Sequence, residues 1–189
     1  VPYRNTNKIN ALQELFGVDE GESYPKFYSE ATDINIGGTN LCLLPWINNS
    51  NYTSTMQHIK STRAEIALGH LEIAGFEMMK GMKNEHGYDK SLFTKFDSVF
   101  SGHFHHKSDD GQIYYLGSPY EFYWNDCDDR KGFHVFRTEN RRLDRIINPR
   151  TIHKKIYYDD TTNDYKEHNV EQYKDHYVKL IVVNKKDLY

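Results

Sequence analysis

Two histidine stretches carry the clearest chemistry in this chain. Val99-Phe100-Ser101-Gly102-His103-Phe104-His105-His106 is a short apolar run ending in Gly-His-x-His. Upstream, the apolar run Ala64 to Leu68 ends in Gly69-His70. Each reads as a buried strand that delivers imidazole to its carboxyl end. If the first stretch stays extended, His103 and His105 share a face about 6.6 Å apart at ~3.3 Å per residue. Phe104 then turns inward, and Gly102 leaves room for close approach. Three neutral imidazoles make a ligand set suited to Zn, Mn, Fe or Ni. Two of them at that spacing can each serve one ion of a two-metal site, whose ions sit ~3.5–4 Å apart. Ten histidines make neighbours common by chance, so the repeated strand-Gly-His pattern is what raises the signal. Oxygen ligands are scarce. Asp109 and Asp110 lie in a turn and Glu72 reads as a surface carboxylate, so bridging carboxylates are expected from sequence before Val1.

The elements that must position these histidines follow from periodicity. Asn5 to Gly17 has the apolar stripe Ile9, Leu12, Leu15 and Phe16, with Thr6 or Asn7 as cap and Gly17 as stop, and predicts a helix packed on the core. Tyr24 to Glu30 and Thr32 to Ile36 read as short strands broken at Gly37-Gly38. Leu41 to Leu44, closed by Pro45, reads as a strand buried on both faces. Tyr52 to Ser61 has helical spacing. Gly75 to Gly87 is poorly periodic and reads as a surface excursion. Ser91 to Phe96 predicts a short helix and Ser98 to Ser101 a strand. Asp109-Asp110-Gly111 is a hairpin signal before the strand Gln112 to Leu116. Gly132–Phe136 and Leu143–Ile147 form another hairpin. After Pro149 come a strand near Ile152–Tyr158, a polar linker, and the apolar strand Tyr177–Val183, which has no obvious partner. Alternating β and α followed by hairpins predicts an α/β fold, a layered α/β sandwich. Ligands in such sheets gather at the carboxyl ends of strands, where His70 and His103 sit.

The bulk numbers set the class. The chain has 189 residues, 14% of them aromatic, which suits one domain with a real core plus an appendage and argues against disorder. Net charge is −3, so no basic balance advertises nucleic acid, although metal ions can neutralise phosphate locally. Cys42 and Cys127 are too few for a disulfide framework and lack metal-type spacing; both read as reduced, in a cytoplasmic compartment. No apolar run is long enough to span a membrane.

Gly69-His70 followed by Gly102-His103-Phe104-His105 resembles the fourth and fifth motifs of the calcineurin-like metallophosphoesterases. With Gly69-His70-Leu71-Glu72-Ile73, Phe100-Ser101-Gly102-His103-Phe104-His105, Leu116-Gly117-Ser118-Pro119-Tyr120 and Gly132-Phe133-His134-Val135-Phe136, the chain resembles the SbcD-type DNA repair nucleases, and among them the T-even-like phage branch. The similarity covers nearly the whole chain. Val1-Pro2-Tyr3-Arg4-Asn5-Thr6 resembles the text that follows the third motif, so the first three motifs, with the bridging Asp and the catalytic His, are expected upstream. The resemblance implies that His70 and His103 bind one Mn²⁺ and His105 the other. It implies a parent enzyme that hydrolyses DNA phosphodiesters at two metals, with an SbcC-type coiled-coil ATPase as partner, and a homodimer contact just after the third motif.

On this reading residues 1–149 are the carboxyl-terminal part of the nuclease domain and 150–189 a linker and the start of a DNA-capping region. No catalytic group lies within 1–189, so the isolated chain is expected to bind Mn²⁺ weakly and to cleave little or no DNA. Tyr120 and Trp124, in the aromatic loop after Gly-Ser-Pro, can stack on bases or anchor the loop. His106 reads as a supporting or surface residue, His134 as structural, and His58 is assigned nothing. Two alternatives stand: another binuclear phosphoesterase (a phosphatase or phosphodiesterase), or a non-catalytic scaffold on the same fold.

Overall fold

A computed structural model describes residues 6–7, 11–16, 26–165 and 168–186. The chain divides into two compact units, one of Val1–Gly117 with Phe136–Arg142 and one of Ser118–Val135 with Leu143–Tyr189.

The first unit is built on a sheet. Its elements are α1 (Ala11–Phe16), β1 (Thr32–Ile36), β2 (Thr39–Leu44), α2 (Tyr52–Ser61), β3 (Ile66–Gly69), β4 (Glu77–Met79), β5 (Met82–Lys83), β6 (Ser98–Ser101), β7 (Ser108–Asp109) and β8 (Ile113–Tyr115). Among the described residues six strands join in the order β1-β2-β3-β6-β8-β7. The central four, β2, β3, β6 and β8, run parallel; β1 and β7 close the edges as antiparallel hairpin partners. Leu44 pairs with Gly69, Gly69 with Ser101, and Ser101 with Tyr115. All four parallel strands therefore end on one line, and their following residues leave from one edge of the sheet. The fold is mixed α/β. Parallel strands buried on both faces need near-continuous apolar sequence, which Val99, Phe100 and the apolar run 41–44 supply. Cys42, Ile59, Ala67, Phe93, Val99 and Ile113 form the centre of the core. α2 buries Thr55 and Ile59, one turn apart, toward it.

The second unit contains most of the hairpin β9 (Gly132–Arg137) and β10 (Arg142–Ile147), then β11 (His153–Asp159) and β12 (Tyr177–Asn184). β12 does have a partner: it pairs with β11 in parallel, His153 opposite Tyr177. The partner is not legible in the sequence because the connection between the two strands is long and polar, so no local turn signal joins them. No described helix is long and apolar enough to cross a membrane.

Further expectations change in the first unit. Strand structure does not extend over 26–30, since β1 is the edge of the sheet and no described strand lies beyond it; Tyr24 and Pro25 are outside the described residues. Among the described residues the first helix is α1; Asn5, Ile9 and the Gly17 stop are outside them, and Leu15 (76% exposed) and Phe16 (61%) face solvent rather than the core. Asn7 donates its side-chain amide to the Trp46 carbonyl at 2.7 Å, and the residues that a cap there would serve lie outside the described ones. The Gly75 to Gly87 excursion folds back on itself as the β4–β5 pair.

Candidate metal centre

The aligned strand ends bring His70 and His103 together. β3 hands over to His70 and β6 to Gly102-His103, and the Gly102 N–H donates to the Gly69 carbonyl at 3.0 Å, carrying the ladder one step past the strands. The result is His70 Nε2 at 3.3 Å from His103 Nδ1, with the two rings 5.2 Å apart and nearly perpendicular. Gly102 leaves room for this approach. A Cβ there would stand 3.0 Å from His70 Nδ1.

His103 is not extended. β6 stops at Ser101 and His103 has φ +84°, a left-handed conformation that non-glycine residues adopt at a cost. The extended spacing expected for His103 and His105 is thereby overturned: the chain turns at His103, so the alternation of a strand no longer applies. Phe104 does point inward; it is buried, with its ring 4.5 Å from that of Tyr115. His105 is near enough for its charge to act on His70. The three histidines do not form a set with all ligand atoms within 4.8 Å of one another among the described residues. His106 turns away and lies 3.4 Å from Glu77.

The loop after His70 is held from beneath by buried hydroxyls. Ser101 Oγ accepts the Leu71 N–H at 3.0 Å. The Tyr115 hydroxyl accepts the Ile73 N–H at 2.8 Å and donates to the Leu71 carbonyl at 2.9 Å. His70 keeps an exposed edge, yet desolvation by the groups packed on its ring, then the nearby His103 charge, pulls its pKa from 6.5 down to about 4, so the ring is neutral at physiological pH and keeps a lone pair for a ligand. Sequence reasoning missed Trp46. Its ring lies 5.2 Å from His103 and 5.9 Å from His70. The available signal was that Pro45-Trp46 follows β2 just as Gly102-His103 follows β6.

The chain is similar to exonuclease subunit 1 of Enterobacteria phage T4. Identity is 35% over 158 residues, which is 82% of this chain and 45% of the T4 subunit. The chain thus spans less than half the length of this curated relative. No family model matches it.

Beside the likeness to the T4 subunit stands the aromatic loop of the second unit. Tyr120, Phe122 and Tyr123 are exposed, with Tyr120 and Phe122 rings 4.4 Å apart. Trp124 is partly buried instead, 4.7 Å from the His153 ring and with Lys179 Nζ 5.8 Å above it. The loop is anchored by Asp126, whose carboxylate accepts the N–H groups of Phe122 and Tyr123 at 2.9 and 3.1 Å and is paired with Lys131 at 2.9 Å.

Proposed function

We propose that this chain is part of a metal-dependent DNA nuclease subunit of the SbcD-type, calcineurin-like metallophosphoesterase kind, acting in recombination and double-strand-break repair. The observation that carries the reading is the His70–His103 pair at two aligned strand ends, in a chain similar to a phage exonuclease subunit. Residues 1–149 then belong to the phosphoesterase domain, a layered α/β sandwich, and 150–189 begin the DNA-capping region. Partners are DNA, an SbcC-type ATPase and a second copy of the subunit, for which the exposed Leu15 and Phe16 offer apolar contact. The setting is the host cytoplasm.

The donor set suits a divalent ion, with Mn²⁺ the proposed one. Two imidazole nitrogens face each other at 3.3 Å, and His70 is held neutral by its surroundings. His70 and His103 would hold one ion and His105 another. When bound, such ions activate water and neutralise charge that develops on a phosphodiester. The chain's own residues orient and shield: Gly102 lets the two rings meet, Trp46 excludes water from one side, and Tyr115 and Ser101 lock the loop that carries His70. Tyr120 and Trp124 would lie along the nucleic acid. Alone, residues 1–189 are proposed to bind Mn²⁺ weakly and to cleave little or no DNA.

The two tryptophans make a direct test. In a Trp124→Phe background Trp46 is the sole indole, and paramagnetic Mn²⁺ bound to His70 and His103 should quench its emission saturably. The quench should vanish in His70→Ala and in His103→Ala. A flat titration, or a quench that survives both substitutions, defeats the proposal.

A further inference from the structure

Asp33, Cys42 and His58 come from three separate elements, yet one ligand atom of each lies within 4.8 Å of the others. No other group of three His, Cys, Asp or Glu meets that measure among the described residues. The register explains part of it: Asp33 is directly opposite Cys42 across the β1–β2 hairpin, so both side chains project from one face. His58 descends onto that face from the last turn of α2.

We propose that Asp33, Cys42 and His58 form a second cation site, a carboxylate, thiolate and imidazole set of the kind that takes Zn²⁺ with solvent as fourth ligand. Tetrahedral bonds of ~2.0–2.3 Å place ligand atoms roughly 3.3–3.8 Å apart, so small side-chain rotations suffice. Thr62 Oγ1 donates to Asp33 Oδ2 at 2.7 Å, the kind of outer hydrogen bond that orients a ligating carboxylate, while Asp33 Oδ1 lies 2.9 Å from His58 Nε2. Cys42 forms a closed floor at 0% exposure, and the Asp33 and His58 side chains (40% and 26%) open the site to solvent. Lys95 is the nearby cation. Its ammonium is engaged by the Lys60 and Thr62 carbonyls at 3.2 and 2.6 Å. Without an ion, burial and then the Asp33 charge push the thiol up to about 12, so it is protonated. Capture of M²⁺ therefore forms a metal–sulfur bond and releases the thiol proton to solvent.

Co²⁺ is the probe, because thiolate ligation gives it a near-ultraviolet charge-transfer band. Titration of the chain should saturate this band at one equivalent, with about one proton released. The band should be lost in Cys42→Ser and its midpoint weakened about tenfold or more in His58→Ala. It should persist in Cys127→Ser and in His70→Ala/His103→Ala, which separates this site from the histidine pair. Circular dichroism of the metal-free variants checks that each is folded, and Cys42→Ser is close to isosteric. No thiolate band in the folded chain, a band that survives Cys42→Ser, or one lost with His70 and His103 overturns the proposal and leaves a metal-free hydrogen-bond network between hairpin and helix.

Discussion

His70 Nε2 stands 3.3 Å from His103 Nδ1 although the two residues are 33 positions apart. The cause is register. With Gly69 opposite Ser101 in parallel strands, whatever follows each strand must emerge beside its counterpart. The pair is set by backbone pairing rather than by flexible side chains, which makes it sensitive to small changes beneath the rings.

Gly102→Ala is the sharpest such change. The new methyl group would sit 3.0 Å from His70 Nδ1, tighter than ordinary contact, and His70 must rotate. Because the contact is with the ring of an exposed side chain, the stability cost should stay below the ~1–3 kcal/mol of core overpacking. On the proposed ligation by His70, displacing its ring should cost about tenfold or more in Mn²⁺ affinity, the usual range for disturbed supporting contacts. Calorimetric titration against the unchanged chain reads the second effect and urea unfolding the first.

Acidification should act through His70. Its pKa is about 4 in the folded chain against an ordinary 6.5, owing first to burial and then to His103. Between these values the unfolded chain binds the proton and the folded chain resists it. Stability should therefore be fully retained above about pH 6.5 and fall as pH drops toward about 4. The His70 ring resonance should stay flat down to about pH 5, and the acid-dependent loss should shrink in His70→Ala.

Tyr115→Phe removes one oxygen from a fully buried ring. It takes from the Ile73 N–H its acceptor and leaves the Leu71 carbonyl with the Ser101 hydroxyl at 3.3 Å, at an expected cost of ~1–3 kcal/mol. Urea denaturation measures this. Amide exchange at Ile73 should quicken, because its proton loses the acceptor that now protects it.

Lys131→Met tests the second unit. Lys131 is 3% exposed and pairs with Asp126 and Asp129, each at 2.9 Å. Removing the cation strands buried carboxylate charge, which costs ~3–5 kcal/mol. Because Asp126 also holds the Phe122 and Tyr123 amides, limited proteolysis should cut sooner within the loop 120–124. Unchanged stability would show that the two carboxylates find other partners.

Much of the sheet was legible because apolar runs closed by glycine or proline are local signals. Leu41 to Leu44, Ser98 to Ser101 and the helix Tyr52 to Ser61 lie where the spacing predicts them. Phe104 does turn inward and Gly102 does give room, but the first comes with a turn at His103 rather than strand alternation, and the second serves His70, which parallel pairing brings from another strand. What failed depended on distance along the chain. The parallel pairing of β12 with β11 joins segments on either side of a polar linker. The exposure of Leu15 and Phe16 depends on what packs against α1, which an apolar stripe does not state.

Residue chemistry is written directly in the chain: imidazoles behind strand-ending glycines, a thiol in an apolar run, aromatics after Gly-Ser-Pro. Which of these groups meet is a matter of how the strands pair and pack. His103 leaves the strand at φ +84° and finds His70 rather than sharing a flat face with His105, since register outweighs local alternation once the strand has ended. Asp33, Cys42 and His58 show the same thing more strongly. Nothing in their spacing links them, and they converge because a cross-strand pair and a packed helix place three distant side chains over one small patch.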